Sequence, residues 1–378
     1  MRIAVNARAC EAGNPTGIAS YAEHLYKHIW DMDMINEYVF FASTISRELK
    51  RHANDRIIFR SAPSPRANKY ARVSWENTFF PVQLCFNNID LLHCVNYSLP
   101  FAVPVRIKKV ITVHDLIWLK FSEYFPKDTI YAAKKRLLHA CAAADSIITV
   151  SENTKKDLLE VSHCNEEKVV VIHEGVDIKH FSRTQKEGSQ TIVIRSKYSL
   201  PQQFILWVGS YKKHKNVENL CRAFVMAKEK HRLAHKLVLC GPGLLQERAI
   251  NAILESYGND ILVIGPVEYE ELPVIYSLAD AFIFPSLYEG FGLPVLEAMA
   301  SGIPVIASNI SSLPEIAGDA AILINPLSVD EIADALIRLI EDNELRLTLV
   351  AKGIERAKRF SWEDAAYKTL KLFSKVGL

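Results

Sequence analysis

Apolar runs rich in Val, Ile and Phe recur at residues 3–6, 38–42, 56–61, 90–96, 110–114, 146–150 and 169–173, with helical patterns between them. Short continuous runs of this kind suit strands buried on both faces, and their alternation with helices predicts a parallel sheet covered by helices. The rhythm lapses through residues 179–201, a polar stretch without clear period, so the linker is placed there and residues 1–182 form a first domain. It returns at 204–209, 237–241, 261–265, 281–285, 304–308 and 321–325, which predicts a second doubly wound α/β domain over residues 183–360. The tail, residues 361–378, has apolar positions at Trp362, Ala365, Ala366, Leu370 and Phe373, a helical stripe.

Open α/β sheets bind ligands beyond the carboxyl ends of their strands. The residues that stand there are Asn6, His114, Gly209, Gly241, Gly265 and Glu289. The richest stretch is 284–300, where a strand end passes through a glycine turn into a helix. Pro294 suits the first helical position, so the N–H groups of Phe291, Gly292 and Leu293 are expected to face outward. Gly290 and Gly292 admit close approach to the backbone, and the helix dipole adds about half a positive charge, which favours phosphate or sugar hydroxyls. Glu289 and Glu297 flank the turn. At ~1.5 Å rise per helical residue they stand on the order of 10 Å apart, against about 5 Å for an acid and a nucleophile acting with retention on one glycosidic bond. An amphipathic helix with a satisfied Glu at its start explains the same residues without a ligand.

The run E-G-F-G-L-P-V-L-E-A-M-A-S-G-I-P-V-I-A-S from Glu289 onward resembles the E-x(7)-E signature of the retaining nucleotide-sugar glycosyltransferases of family 4. The resemblance implies a GT-B fold: two Rossmann-like domains facing a cleft, with the C-terminal helix returning to the first. It gives Glu289 the donor sugar, the backbone of Gly290, Phe291, Gly292 and Leu293 the sugar and phosphate, and Glu297 the ribose. The turn at Thr16-Gly17-Ile18 resembles the family's N-terminal glycine loop, with Gly17 near the donor phosphate; a plain β-α turn is the alternative. Val113-His114-Asp115-Leu116 resembles the run whose His reaches the donor sugar from the first domain. The loop Gly209-Ser210-Tyr211-Lys212-Lys213-His214-Lys215-Asn216 concentrates cations where a leaving diphosphate needs neutralising, and Lys215 matches the family lysine. Ser210 stands where many members carry a partner Arg, and His214 where a related subset does. Lys212 or Lys213 is therefore expected to take over that contact. Gly265-Pro266-Val267 with Glu271-Leu272 resembles the loop that holds the nucleobase.

Other patterns are weaker. Gly241-Pro242-Gly243 has Gln246 where a dinucleotide loop needs its third glycine, so no NAD site is read. Asp31-Met32-Asp33 follows a helical pattern and reads as a helix end, and no His/Cys/Asp cluster has metal spacing.

Composition removes some classes. Lys and Arg total 45 against 43 Asp and Glu, a net charge of +2, which leaves no global footprint for nucleic acid. The charge is uneven: Arg47, Lys50, Arg51, Arg56, Arg60, Arg66, Lys69 and Arg72 interleave with Tyr70 and Trp75 and suggest docking of the first domain on an anionic membrane surface. A second basic stretch spans 106–136. Seven cysteines without a C-x-x-C pair fit a reducing cytoplasm, and neither a signal-peptide pattern nor a run of ~18 apolar residues is present.

The reading is a retaining, metal-independent hexosyltransferase without a cofactor, with Glu289, Lys215 and His114 as its catalytic residues. Resemblance to surface-polysaccharide mannosyltransferases suggests GDP-mannose as donor, an α-linkage, and a saccharide or polyprenyl-linked acceptor at the inner face of the cytoplasmic membrane. Competing readings are a UDP-hexose donor, a GT-B-shaped epimerase, or a silent nucleotide-sugar-binding subunit.

Overall fold

The computed structural model describes residues 1–8, 17–42, 45–62, 73–182, 188–243 and 248–377, the side chains of Arg47, Glu48 and Arg248 aside. The chain divides into two compact units, Met1–Gly175 with Trp362–Leu378, and Val176–Ser361.

The sheet of the first unit contains β1 (Arg2–Asn6), β2 (Glu37–Ala42), β3 (Ile57–Ser61), β4 (Leu91–Cys94), β5 (Lys108–Val113), β6 (Ser146–Thr149) and β7 (Val169–Val171), all parallel, in the order β3-β2-β1-β4-β5-β6-β7. Alternate strand residues feed two cores. Ile3, Val5, Tyr38 and Phe40 pack on the helix Gly17–Met32 through Tyr21, Leu25, Tyr26 and Ile29. The helix Trp362–Gly377 joins that layer with Trp362, Ala365, Ala366 and Phe373, and Trp362 stacks on His24 at 5.3 Å. The opposite face, with Ala4, Val39, Phe41, Leu92 and Ile111, packs on the helices Phe80–Phe86 and Lys127–Ala143.

The second unit holds β8 (Phe204–Val208), β9 (Lys236–Cys240), β10 (Ile261–Gly265), β11 (Ala281–Phe284), β12 (Val305–Ser308) and β13 (Ala321–Ile324) in the order β10-β9-β8-β11-β12-β13. Its central strands are apolar on both sides, with Ile205, Leu206, Trp207, Phe282 and Ile283 fully buried. Strand order reverses between β8 and β11, and between β1 and β4 in the first unit, so each sheet has one switch point where flanking loops diverge and leave room for a ligand.

The division falls after Gly175 and not after residue 182. Residues 176–182 are tied into the second unit: the Val176 N–H donates to Phe360 O at 3.0 Å, His180 stacks on Tyr269 at 4.3 Å, and Phe181 is buried against Tyr276. The stretch read as a linker holds the helix Ser189–Lys197, which buries Thr191 and Ile194 while Ile192 and Val193 stay exposed. Two exposed apolar residues beside two buried ones blur the helical stripe.

Candidate functional site

The site residues of the second unit come from the loops after β8 and β11, the two strands that flank its switch point. After β8 the chain makes a short turn, Lys213–Lys215, and Asn216 takes a left-handed conformation (φ 60°) before the helix Val217–His231. Asn216 is buried, and its Nδ2 donates to Pro285 O at 3.0 Å and to Pro326 O at 2.7 Å. That buried amide holds the β8 loop against the β11 loop, and the Leu287 N–H donating to His214 O at 2.7 Å adds a second tie. Lys215 thereby reaches Glu289: its Nζ lies 2.6 Å from Glu289 Oε1 and 5.0 Å above the Phe284 ring. Ser286 Oγ donates to the same carboxylate oxygen at 2.5 Å.

The glycine turn is braced from beneath by two serines. Glu289 N–H donates to Ser311 Oγ, which donates back to Glu289 O at 2.7 Å; Ser312 Oγ reaches Phe291 O at 2.6 Å. Gly292 has φ 123°, and a Cβ there would meet Leu313 Cδ2 at 2.7 Å, so the turn requires glycine on both counts. Phe291 turns its ring into the core against Phe360, leaving only its backbone for a ligand. The helix runs Leu293–Ala300, with Pro294 at its second position, one later than the sequence suggests. No intrahelical carbonyl precedes the N–H groups of Gly292 and Leu293, which gives this end its anion preference.

Glu297, on the same helix, has different surroundings. Tyr276 Oη donates to its Oε2 at 2.9 Å, and burial pushes the carboxyl up to about 7, against the lowering effect of that hydrogen bond. One carboxylate is paired with a cation and the other is held near neutrality.

The remaining β8-loop residues divide. Lys212 and Lys213 are exposed at its rim, and Ser210 and Gly209 are half-buried. Gly241, at the end of β9, must stay glycine, because its φ is 148° and a Cβ there would stand 1.8 Å from Gly209 O. His214 is buried, and burial with the neighbouring Lys215 and Lys212 charges lowers its pKa to about 3. It is neutral at physiological pH and supplies no cation in place of the missing Arg. Glu271, in the loop after β10, is bound by Lys197 Nζ at 2.7 Å and Tyr198 Oη at 2.6 Å.

In the first unit His114 follows β5 and is held at both ring nitrogens: Nδ1–H donates to Glu174 Oε1 at 3.0 Å and Nε2–H to Val95 O at 2.9 Å. Both partners can accept, an arrangement that favours the doubly protonated ring. Burial opposes that charge, but the Glu174 hydrogen bond and charge and the Val95 carbonyl outweigh it and raise the pKa. Tyr21 meets the ring edge-on at 4.6 Å. The structure thus gives His114 a committed pair of intramolecular bonds where the sequence suggests a ring open to the sugar. Gly17 is the first residue of its helix and is exposed; the glycine loop before it, with Thr16, lies outside the described residues. Asp33 is buried and accepts from Tyr38 Oη, Asn36 Nδ2 and two backbone N–H groups, as a helix end does. Of the basic membrane patch, Arg66, Lys69, Tyr70, Arg72 and the Arg47 side chain lie outside the described residues, and Arg56 is committed to Asp33 O at 2.8 Å.

Two family models cover most of the chain, one described as glycosyl transferases group 1 over residues 191–356 and one as glycosyltransferase family 4 over residues 15–180. The O-antigen chain mannosyltransferase B of Escherichia coli is 31% identical over 277 residues, which are 72% of this chain and 72% of that protein. The chain belongs to the family 4 glycosyltransferases. Two solved structures share its fold: a sucrose-phosphate synthase from Thermosynechococcus elongatus (TM-score 0.77, 24% identity, 99% of this chain and 98% of that one) and Anabaena HepE in complex with UDP and glucose (0.76, 18%, 99% of each).

Sequence reasoning on this glycosyltransferase missed Glu174, Ser286, Ser311, Ser312 and Tyr276. The doublet His173-Glu174 after β7 carries a charge at a strand end, which is the signal that was there to follow. Replacing Glu174 by Gln is expected to lower the His114 titration midpoint below that of the native protein, because burial then acts with less opposition. A ring-proton NMR titration reads this, and an unmoved midpoint would remove Glu174 from that role.

Proposed function

We propose that this glycosyltransferase moves mannose from GDP-mannose, with retention, to a saccharide carried on a polyprenyl lipid, and needs no metal to do so. The observation that carries the reading is the Lys215 to Glu289 ion pair at 2.6 Å, set beside a helix start at the switch point of the second sheet. Paired in this way, the two side chains neutralise each other. A bound nucleoside diphosphate offers Lys215 a stronger anion, and Glu289 is then left to position the sugar and favour the positive charge that grows at its anomeric carbon. The bond from that carbon to the phosphate oxygen breaks, the acceptor oxygen bonds to the same face, and the acceptor proton passes to the departing phosphate. That route asks for no side-chain base. Glu297 holds the ribose hydroxyls as their acceptor.

The mannose and the polysaccharide acceptor are supported by the O-antigen mannosyltransferase relative and by the sequence resemblance. A UDP-hexose donor is the competing reading, since the loop after β10 is suited to hold a base through backbone atoms and so carries little choice between bases.

Release of nucleotide from a panel of nucleotide sugars, with a polyprenyl-diphosphate saccharide as acceptor, tests the reading. Turnover of GDP-mannose that persists in EDTA is expected, because Lys215 and the helix start act on the diphosphate as a metal does elsewhere. Turnover of UDP-glucose but not GDP-mannose would overturn the donor, and loss in EDTA restored by Mg²⁺ or Mn²⁺ would overturn metal independence.

A further inference from the structure

One face of the first unit's sheet is covered by two helical segments whose outer sides are chemically unusual. The π-helical turn Trp75–Phe79 and the helix Phe80–Phe86 anchor through Phe80 and Leu84, and the helix Lys127–Ala143 anchors through Ala133, Leu137, Ala140 and Cys141. Both sit on the same core, so their outer sides look away from the sheet in the same sense. The loop at 100–106 bridges them: the Phe101 N–H donates to Asn77 Oδ1 at 2.9 Å, and the Phe101 ring lies 4.3 Å from that of His139. The three segments make one continuous surface.

Its apolar part is large and open to water. Phe79 is 63% exposed, Val82 51%, Phe86 83%, Phe101 52% and Val105 94%. Phe79, Val82 and Phe86 fall at helical spacing along one side. The second helix adds exposed Tyr131 and Leu138, and with them exposed Lys127, Lys134, Lys135 and Arg136 against a single acid, Asp128. Single exposed apolar residues need no explanation, but seven on three adjoining segments do.

We infer that this surface docks the protein on an anionic lipid bilayer. Exposed aromatic and aliphatic residues enter the headgroup boundary, and long cationic side chains lay their stems along it with their charges at lipid phosphates. Charge complementarity selects this occupant. Four cations beside one acid suit an anionic surface, whereas a nucleic acid would leave Phe86 and Val105 without a partner, and a second copy of the chain would set like charges together. The inference is independent of which donor is used, since it rests on a surface remote in sequence from the Lys215 and Glu289 loops. It adds described residues of 75–138 to the basic stretch 47–72 as a membrane contact.

Sedimentation with vesicles tests it, comparing phosphatidylcholine alone with phosphatidylcholine containing phosphatidylglycerol, at low and high salt. The native protein is expected to partition onto the anionic vesicles only, and more weakly at high salt. The triple variant Lys134→Ala, Lys135→Ala, Arg136→Ala should lower that partition roughly 10²-fold. The double variant Phe79→Ser, Phe86→Ser should weaken it at low and high salt alike. Both keep native nucleotide release on a soluble acceptor, which separates a docking defect from misfolding. Equal binding to both vesicle types, or a triple variant that still prefers anionic vesicles undiminished, would overturn the inference. So would a native dimer that the Phe double variant turns into monomer in sedimentation velocity, or tight binding of a homopolymeric oligonucleotide lost in the triple variant.

Discussion

Lys215→Ala and Glu289→Gln are each expected to lower kcat by roughly 10²-fold or more while cooperative melting survives, because each acts on charge that develops only in the transition state. The geometry makes a sharper expectation of the pair. Lys215 Nζ and Glu289 Oε1 are 2.6 Å apart, with side chains 14% and 13% exposed, and Ser286 shares the same carboxylate oxygen. Two groups that must exchange partners when the diphosphate arrives form one unit, so the double variant should lose much less than the product of the single losses. A double-mutant cycle in kcat/KM measures this. Full additivity would mean that the two side chains act at separate points. Loss of cooperative melting in Lys215→Ala would mean that the pair is structural, holding the β8 loop to the β11 loop, a task here assigned to Asn216.

The second large effect concerns Glu297. A ribose contact persists from ground state to transition state, so Glu297→Ala should raise the donor KM about 10-fold to 10²-fold with little change in kcat, in line with the ~1.5–3 kcal/mol of a hydrogen bond to a charged group. Its pH dependence follows from the surroundings. Unfolded, the carboxyl releases its proton near 4.5; folded and buried, near 7. The folded state therefore binds that proton more tightly, and the stability it contributes is lost as pH rises from 4.5 through 7. Only the ionised form accepts from two ribose hydroxyls, so donor affinity should strengthen as pH rises through 7. Glu297→Gln should flatten that rise, which calorimetric titration with donor on both sides of pH 7 can read. An unchanged donor KM in Glu297→Ala would remove the residue from the ribose.

Much of the fold was legible because the central strands are buried on two faces, which turns stretches such as 204–208 and 281–284 into uninterrupted apolar runs. The glycine turn was legible for a local reason too: Gly290, Gly292 and Pro294 are backbone requirements that stand consecutively in the chain. What could not be read is contact between distant segments. Lys215 and Glu289 are 74 residues apart, and His114 and Glu174 are 60 apart. Nothing in either local pattern says that the lysine is already neutralised or that the histidine is fully bonded. His214 shows the same limit, since a histidine in a lysine-rich loop looks like one more cation until its burial is known. The domain boundary was misplaced because residues 176–182 hold to the second unit through hydrogen bonds of Val176 and His180 and through aromatic packing, which leave no periodic trace.

Product stereochemistry bears most directly on the central claim, that Glu289 steadies the donor sugar while the acceptor enters on the face the diphosphate leaves. An NMR spectrum of the anomeric region of product made from GDP-mannose should show an α-mannoside alone, and a β-anomeric linkage would contradict the mechanism.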